Sequence, residues 1–254
     1  LVELKSELEI EKLAELGSVT AAIFDKVVDF VEAGVSTKDI DDYAYELCMK
    51  YGVKPAFKGY RGYPASICIS INDEVVHGIP KKDRLIKDGD IVSLDFGTYK
   101  DGFYSDMAVT VPVGVVSEVN IRLINATREA LYKGIEKAVV GNRLQDISYA
   151  VQKHVEKNGF SVVRAFVGHG IGRSLHEDPQ VPNFGNPGCG IRLKAGMVLA
   201  IEPMVNAGTY EVKIKEDGWT AVTADGKMSA HFEHTVAITN NGPRILTEVK
   251  EAYA

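Results

Sequence analysis

One pattern is written twice along this chain. A glycine, an apolar run and a carboxylate six residues past the glycine appear first as Gly89-Asp90-Ile91-Val92-Ser93-Leu94-Asp95. They return roughly a hundred residues later as Gly196-Met197-Val198-Leu199-Ala200-Ile201-Glu202. His77-Gly78-Ile79 precedes the first copy and His169-Gly170-Ile171 the second. Asp106-Met107-Ala108-Val109-Thr110 follows the first, and Glu233-His234-Thr235-Val236-Ala237 follows the second. Each half therefore supplies one histidine and two carboxylates on β-type segments. If the halves pack face to face, four carboxylates converge, which is tolerable only with cations between them.

Helical periodicity precedes the strands in both halves. Leu8, Leu13, Leu16, Val19, Ile23, Val27 and Phe30 recur at helical spacing from Ser6 to about Phe30, with a Ser6/Glu9 capping-box pattern at the start. A second helix is expected from Thr37 to Tyr51, stopped by Gly52. Ser66–Ile71 reads as a strand, and Ile91–Gly97 with Tyr104–Val111 as a hairpin around Lys100-Asp101-Gly102. In the second half Ser117–Val140 and Leu144–Asn158 read as helices. Strands follow near Val162–Val167, Met197–Glu202, Tyr210–Lys215, Trp219–Thr223 and Phe232–Thr239. The expected fold is α+β, a single domain over 1–254 with pseudo-twofold halves of about 1–115 and 116–254.

Composition excludes several classes. The net charge of −6 argues against a DNA- or RNA-binding role, and the local run Lys81, Lys82, Arg84, Lys87 reads as a solvated loop. Three cysteines, Cys48, Cys68 and Cys189, match no zinc motif or disulfide framework, so a reducing, cytoplasmic setting is expected. Leu1–Glu15 alternates charged with apolar residues and does not read as a signal peptide, and no run approaches the roughly 18 apolar residues of a membrane span.

The acids cluster by strand geometry. With a Lys100-Asp101 loop Asp95 lies directly opposite Asp106; with an Asp101-Gly102 loop it lies diagonal. Period-two alternation puts both on one face either way. Glu202 ends an apolar strand before Pro203, Glu233 lies between His231 and His234, and His169 is framed by Gly168, Gly170 and Gly172. One imidazole with four carboxylates is an oxygen-rich donor set. It suits Mn²⁺, Fe²⁺ or Co²⁺ as well as Zn²⁺. Five ligands fit two carboxylate-bridged ions better than one, with a bridging hydroxide as nucleophile.

The series Asp95, Asp106, His169, Glu202, Glu233 resembles the ligand set of the pita-bread metallopeptidases. The segments YPASICISINDEVVHGIP (Tyr63–Pro80), GHGIGRSLHED (Gly168–Asp178), IEPM (Ile201–Met204) and KEDGWTAVT (Lys215–Thr223) narrow the resemblance to the type I bacterial methionine aminopeptidase family. It spans nearly the whole chain. It implies a curved antiparallel sheet with two helices per half and a dinuclear centre. Asp106 and Glu233 bridge the ions there, Asp95 completes one shell, and His169 and Glu202 the other. Glu202 carries the proton, His176 donates to the developing oxyanion, and His77 contacts the scissile peptide. A methionine pocket is implied at Tyr60, Tyr63, Cys68, Leu175 and Trp219, and a monovalent cation near Asn72 and Ser229. The chain departs from the pattern at Phe57, where many bacterial relatives carry cysteine, and at Leu175, where an aromatic is common.

The implied reaction is removal of the initiator methionine from nascent chains with a small second residue, by a cytoplasmic monomer with transient ribosome contact. Too few residues precede His77 for the extra N-terminal domain of X-Pro-cleaving relatives, and neither a zinc-finger extension nor a large insertion is expected. Three other readings stand beside it: a broader aminopeptidase of the same fold, a non-catalytic binding module, and a metal-free creatinase-like hydrolase.

Overall fold

The computed structural model describes residues 2–248. The ends of the expected domain range, residues 1 and 249–254, lie outside the described residues. The first half opens on α1 (Glu7–Asp29) and α2 (Thr37–Tyr51). Ser6 accepts from the Glu9 N–H while the Glu9 carboxylate accepts from the Ser6 N–H, a reciprocal cap. Gly52 ends α2 at φ 66°, a left-handed conformation that costs glycine little. Strands β1 (Lys54–Pro55), β2 (Cys68–Ile71), β3 (Glu74–Val76), β4 (Ile91–Lys100) and β5 (Phe103–Pro112) follow. The second half repeats the order with α3 (Glu118–Ile135), α4 (Leu144–Lys157), β6 (Ser161–Val162), β7 (Gly168–Gly170), β8 (Glu177–Val181), β9 (Val198–Ile201) and β10 (Met204–Asn206). It closes with β11 (Val212–Ile214), β12 (Ala221–Thr223), β13 (Ser229–His231), β14 (Glu233–Thr239) and β15 (Gly242–Ile245).

One antiparallel sheet runs through both halves in the order β1-β4-β5-β14-β9-β7-β8, with β2 on β4 and β15 on β14. The joint between halves is β5 against β14, where Glu233 faces Ala108 and His234 faces Met107. Two three-stranded sheets, β13-β10-β6 and β11-β12-β3, complete the fold. The alternation of side chains divides the large sheet into a helix face and an acidic face. Leu94 and Phe96 turn toward α1, where Phe96 stacks on Phe24 with ring centroids 6.1 Å apart. Leu199, Ile201 and Val236 join the core under α3 and α4. Asp95 and Glu233 have the opposite parity and face away from the helices.

Four segments differ from expectation. Helix α3 ends at Ile135 rather than Val140. Its last turn contains Gly134, whose missing side chain lets Val151 of α4 approach within 2.8 Å of where a Cβ would stand. The run Val162–Val167 contributes only the two-residue β6, because Phe166 and Val167 leave the strand to line a cavity. His77 does not lie on a strand; it follows β3 with φ 62°. The basic loop is solvated at Lys81, Lys82 and Lys87, but Arg84 turns in to pair with buried Glu74 at 2.5 Å. Among the described residues no helix is long and apolar enough to cross a membrane.

Candidate metal centre

The order of strands in the sheet is the order of the candidate ligands. Asp95 lies on β4, Asp106 on β5, Glu233 at the head of β14, Glu202 just past β9, and His169 on β7. The β4–β5 loop is Asp101-Gly102, both at positive φ, as a primed two-residue turn requires. Lys100 then pairs with Phe103, Gly97 faces Asp106 and Asp95 faces Ala108, so Asp95 is diagonal to Asp106. Ala108 in turn faces Glu233 across the joint. The second joint contact is a clasp: the Asp106 N–H donates to Thr235 Oγ1 at 3.1 Å, and that hydroxyl donates back to the Asp106 carbonyl at 2.8 Å.

Liganding atoms of Asp106, His169 and Glu233 lie within 4.8 Å of one another, and so do those of Glu202, His231 and Glu233. His169 Nδ1 meets the Gly170 carbonyl at 2.9 Å, which places the proton on Nδ1 and leaves Nε2 as a donor lone pair. That Nε2 is 3.4 Å from Glu202 Oε1. His231 was not a sequence candidate, yet its Nε2 lies 3.7 Å from Glu202 Oε2. It shares the parity of Glu233, two positions on, and that alternation was the available signal. The Thr110 hydroxyl holds it there, accepting from the His231 N–H at 2.7 Å and donating to the His231 carbonyl at 2.9 Å.

Burial dominates the electrostatics. It raises the carboxyls of Asp95 and Glu202 to about 7 and pushes Asp106 and Glu233 well above their usual range, with neighbouring carboxylates adding to the shift at Asp95, Asp106 and Glu233. Asp95 Oδ1, Asp106 Oδ1, Glu233 Oε1 and His231 Nε2 are buried without a hydrogen-bond partner. Such orphaned atoms are costly in a folded protein unless something else binds them. Oxygen-rich, mutually repelling and unsatisfied, the group fits hard divalent cations.

The acids floor a cavity of about 200 Å³. All five expected pocket residues line it: Tyr60, Tyr63, Cys68, Leu175 and Trp219. So do His77, His176 and Phe57, together with Phe166 and Met204, which were not sequence candidates for the pocket. Tyr63 meets Trp219 edge-on at 5.2 Å, and its hydroxyl donates to the Gly78 carbonyl at 2.9 Å. His77 is edge-on to Phe166 and Trp219, and burial, followed by His231, lowers it to about 4. His176 sits 4.2 Å from His169 between ring centroids, and its Nδ1 is 2.9 Å from the Tyr60 hydroxyl. Burial, then His169, Arg61 and His77, lower it to about 3. Away from the cavity, the Ser229 N–H donates to the Asn72 carbonyl at 2.8 Å, and Asn72 holds φ 61°.

Comparison with known proteins matches this arrangement. The family model described as metallopeptidase family M24 covers residues 11–240. A protein named methionine aminopeptidase from Clostridium perfringens is 56% identical over 250 residues, 98% of this chain and 100% of that protein. The crystal structure of methionine aminopeptidase from Thermotoga maritima superposes with a TM-score of 0.96 at 49% identity, covering 98% of this chain and 100% of the other. At 23% identity, the prolidase from Pyrococcus horikoshii shares the pita-bread fold with a TM-score of 0.78, over 99% of this chain and 65% of its own. The chain belongs to metallopeptidase family M24, and within it to the methionine aminopeptidases.

Proposed function

We propose that this protein hydrolyses the peptide bond after an N-terminal methionine, acting on nascent chains and peptides whose second residue is small. The observation that carries the reading is the row of five candidate ligands along five adjacent strands, with orphaned oxygens, at the floor of an apolar and aromatic cavity. In this reading Asp106 and Glu233 would be shared between two divalent ions, with Asp95 available to hold one and His169 and Glu202 the other. Bound there, divalent ions supply Lewis-acid polarisation and a water acidified toward neutral pH. Co²⁺, Mn²⁺, Fe²⁺ and Zn²⁺ all suit the donor set. A monovalent cation beside Asn72 and Ser229 belongs to the same proposal.

The chain's own groups do the rest. The methionine side chain enters between Tyr63, Cys68, Leu175 and Trp219, where dispersion and sulfur–aromatic contact hold a thioether. Glu202 accepts a proton from water and delivers it to the leaving amine. His176 is neutral at working pH. The Tyr60 hydroxyl donates to its Nδ1, so Nε2 carries the proton and donates to the oxyanion as the carbonyl becomes tetrahedral. His77, also neutral, hydrogen-bonds the substrate backbone beside the scissile bond. Residues 1–254 act as one catalytic domain, as a cytoplasmic monomer that meets its substrates at the ribosome.

The test is release of free methionine from Met-Ala-Ser and Met-Leu-Ser by protein stripped with chelator and resupplied with single divalent metals. Metal-dependent cleavage of Met-Ala-Ser alone supports the whole reading. No cleavage with any metal overturns it. Phe57 and Leu175 both line the cavity and favour a second reading, a broader aminopeptidase. Equal cleavage of Leu-Ala-Ser and Met-Ala-Ser would establish that one.

A further inference from the structure

Lys5 is almost fully buried, unusual for a lysine. Its ammonium donates to Glu177 Oε2 at 2.7 Å and to exposed Glu3 at 3.1 Å. The other oxygen of Glu177 accepts the backbone N–H groups of Arg173 and Ser174 at 2.7 and 3.0 Å. One carboxylate thus closes the turn between β7 and β8 and hands it to Lys5. That turn carries Leu175 and His176 into the cavity. The backbone N–H of Lys5 donates to the Gly196 carbonyl at 2.7 Å, at the base of the segment leading to Glu202.

Two glycines make room for this lysine. A Cβ on Gly172 would overlap Lys5 Cε, and one on Gly196 would stand 2.8 Å from the Lys5 carbonyl oxygen. A second, exposed tie lies beside the first: Arg173 donates to Glu9 on α1 at 2.6 and 3.2 Å. The N-terminal strap therefore grips the outer side of the turn whose inner side presents His176.

We propose that Lys5 is a positioning residue for catalysis, fixing the His176 turn through Glu177 and tying it to the base of the Glu202 segment. The proposal rests on the aminopeptidase reading above. His176 must donate to an oxygen that exists only as the carbonyl becomes tetrahedral. A turn free to shift by a fraction of an ångström therefore lowers kcat more than it raises KM, which it reaches only through Leu175 at one wall of the pocket. Lys5 touches neither substrate nor metal.

The experiment compares wild type, Lys5→Met, Glu177→Gln and the double variant, each loaded with metal, by kcat and KM on Met-Ala-Ser. Amide hydrogen exchange of residues 172–177 is followed in parallel. Lys5→Met is expected to lower kcat about ten-fold with a smaller rise in KM and metal content unchanged, and to speed exchange at Arg173 and Ser174. The double variant should lose no more than the worse single one, because both changes break the same link. Unchanged kcat in a folded, metal-loaded Lys5→Met protein overturns the proposal, as does additive loss in the double variant. If Lys5→Met does not fold, Glu177→Gln decides, since it keeps an oxygen for the Arg173 and Ser174 N–H groups and loses the ion pair with Lys5. A two- to three-fold fall in kcat that exceeds any rise in KM supports the clamp, and an unchanged kcat overturns it. Wild type without activity in the same assay counts against the aminopeptidase reading. Exchange in the turn that is unchanged on Lys5→Met then counts against the clamp independently.

Discussion

At the scale of single residues, the chemistry depends on which nitrogen of His176 carries its proton. Nδ1 is taken by the Tyr60 hydroxyl at 2.9 Å. Removing that hydroxyl in Tyr60→Phe costs about 1 kcal/mol of one neutral hydrogen bond, or roughly five-fold in kcat if the tautomer lapses. Steady-state kinetics on Met-Ala-Ser measure it; a raised KM with kcat intact would instead make Tyr60 a pocket wall alone. His176→Ala removes the donor itself and is expected to lower kcat by about 10²–10³ with metal still bound. Atomic absorption on the same sample separates that from metal loss. The five candidate ligands are legible because the repeat supplies pairs, and strand parity then puts Asp95 and Asp106 on one face in either register. The left-handed φ of His77 is not legible. It arises where the chain turns off β3 to pack His77 against Phe166 and Trp219, a contact across 89 residues of sequence or more. His231 went unread because a histidine flanking a ligand has an ordinary explanation until the fold brings Glu202 beside it.

At the scale of elements, the centre depends on how closely β7 lies against β9. Gly168 allows that approach: a Cβ there would overlap the Ala200 carbonyl oxygen and stand 3.2 Å from both Glu202 Cγ and Val181 Cβ. Gly168→Ala should therefore push β7 outward and carry His169 away from Glu202. The expected cost is about 1–3 kcal/mol of stability, with weaker metal binding. Urea unfolding of the chelated protein reads the first quantity and calorimetric metal titration the second. An unchanged midpoint with full metal affinity would show that the sheet yields there. Helices α1 and α2 are legible to within a residue or two because their signals are local, the Ser6–Glu9 cap and the Gly52 stop. Pairing of β5 with β14 is not. It joins residues such as Ala108 and Glu233 from different halves, and no local pattern names a partner so distant in sequence.

At the scale of the molecule, the fold concentrates buried titratable groups in its middle, so stability and metal binding should respond to pH in opposite directions. Consider the metal-free protein. Asp106 and Glu233 have folded pKa values raised well above 3.8 and 4.5, so the native state keeps protons that the unfolded chain has released. Stability from such groups is fully present below the unfolded values and is lost as pH rises toward the folded ones. Asp95 and Glu202 act in the same sense up to about 7. Four histidines act in the other sense. His77, His176, His231 and His234 are lowered from 6.5 by burial, so they cost stability as pH falls below that value. The two sets oppose each other between about pH 4.5 and 6.5, and above that the histidines are neutral in both states and drop out. Between about pH 7 and 8.5, below the range of the cysteine thiols, the carboxyls alone remain. The thermal midpoint of chelated protein should fall across that window, on the order of 5 °C for a chain of this length. With a saturating divalent metal the slope should flatten, since each ion displaces the protons that Asp106 and Glu233 would otherwise hold and leaves these groups unprotonated in both states. The double variant Asp106→Asn with Glu233→Gln should flatten the slope of the chelated protein, because neither side chain can then ionise. A chelated wild type as flat as that variant would mean the buried acids are already ionised without a cation, and the reading of this site as one that requires metal would fall.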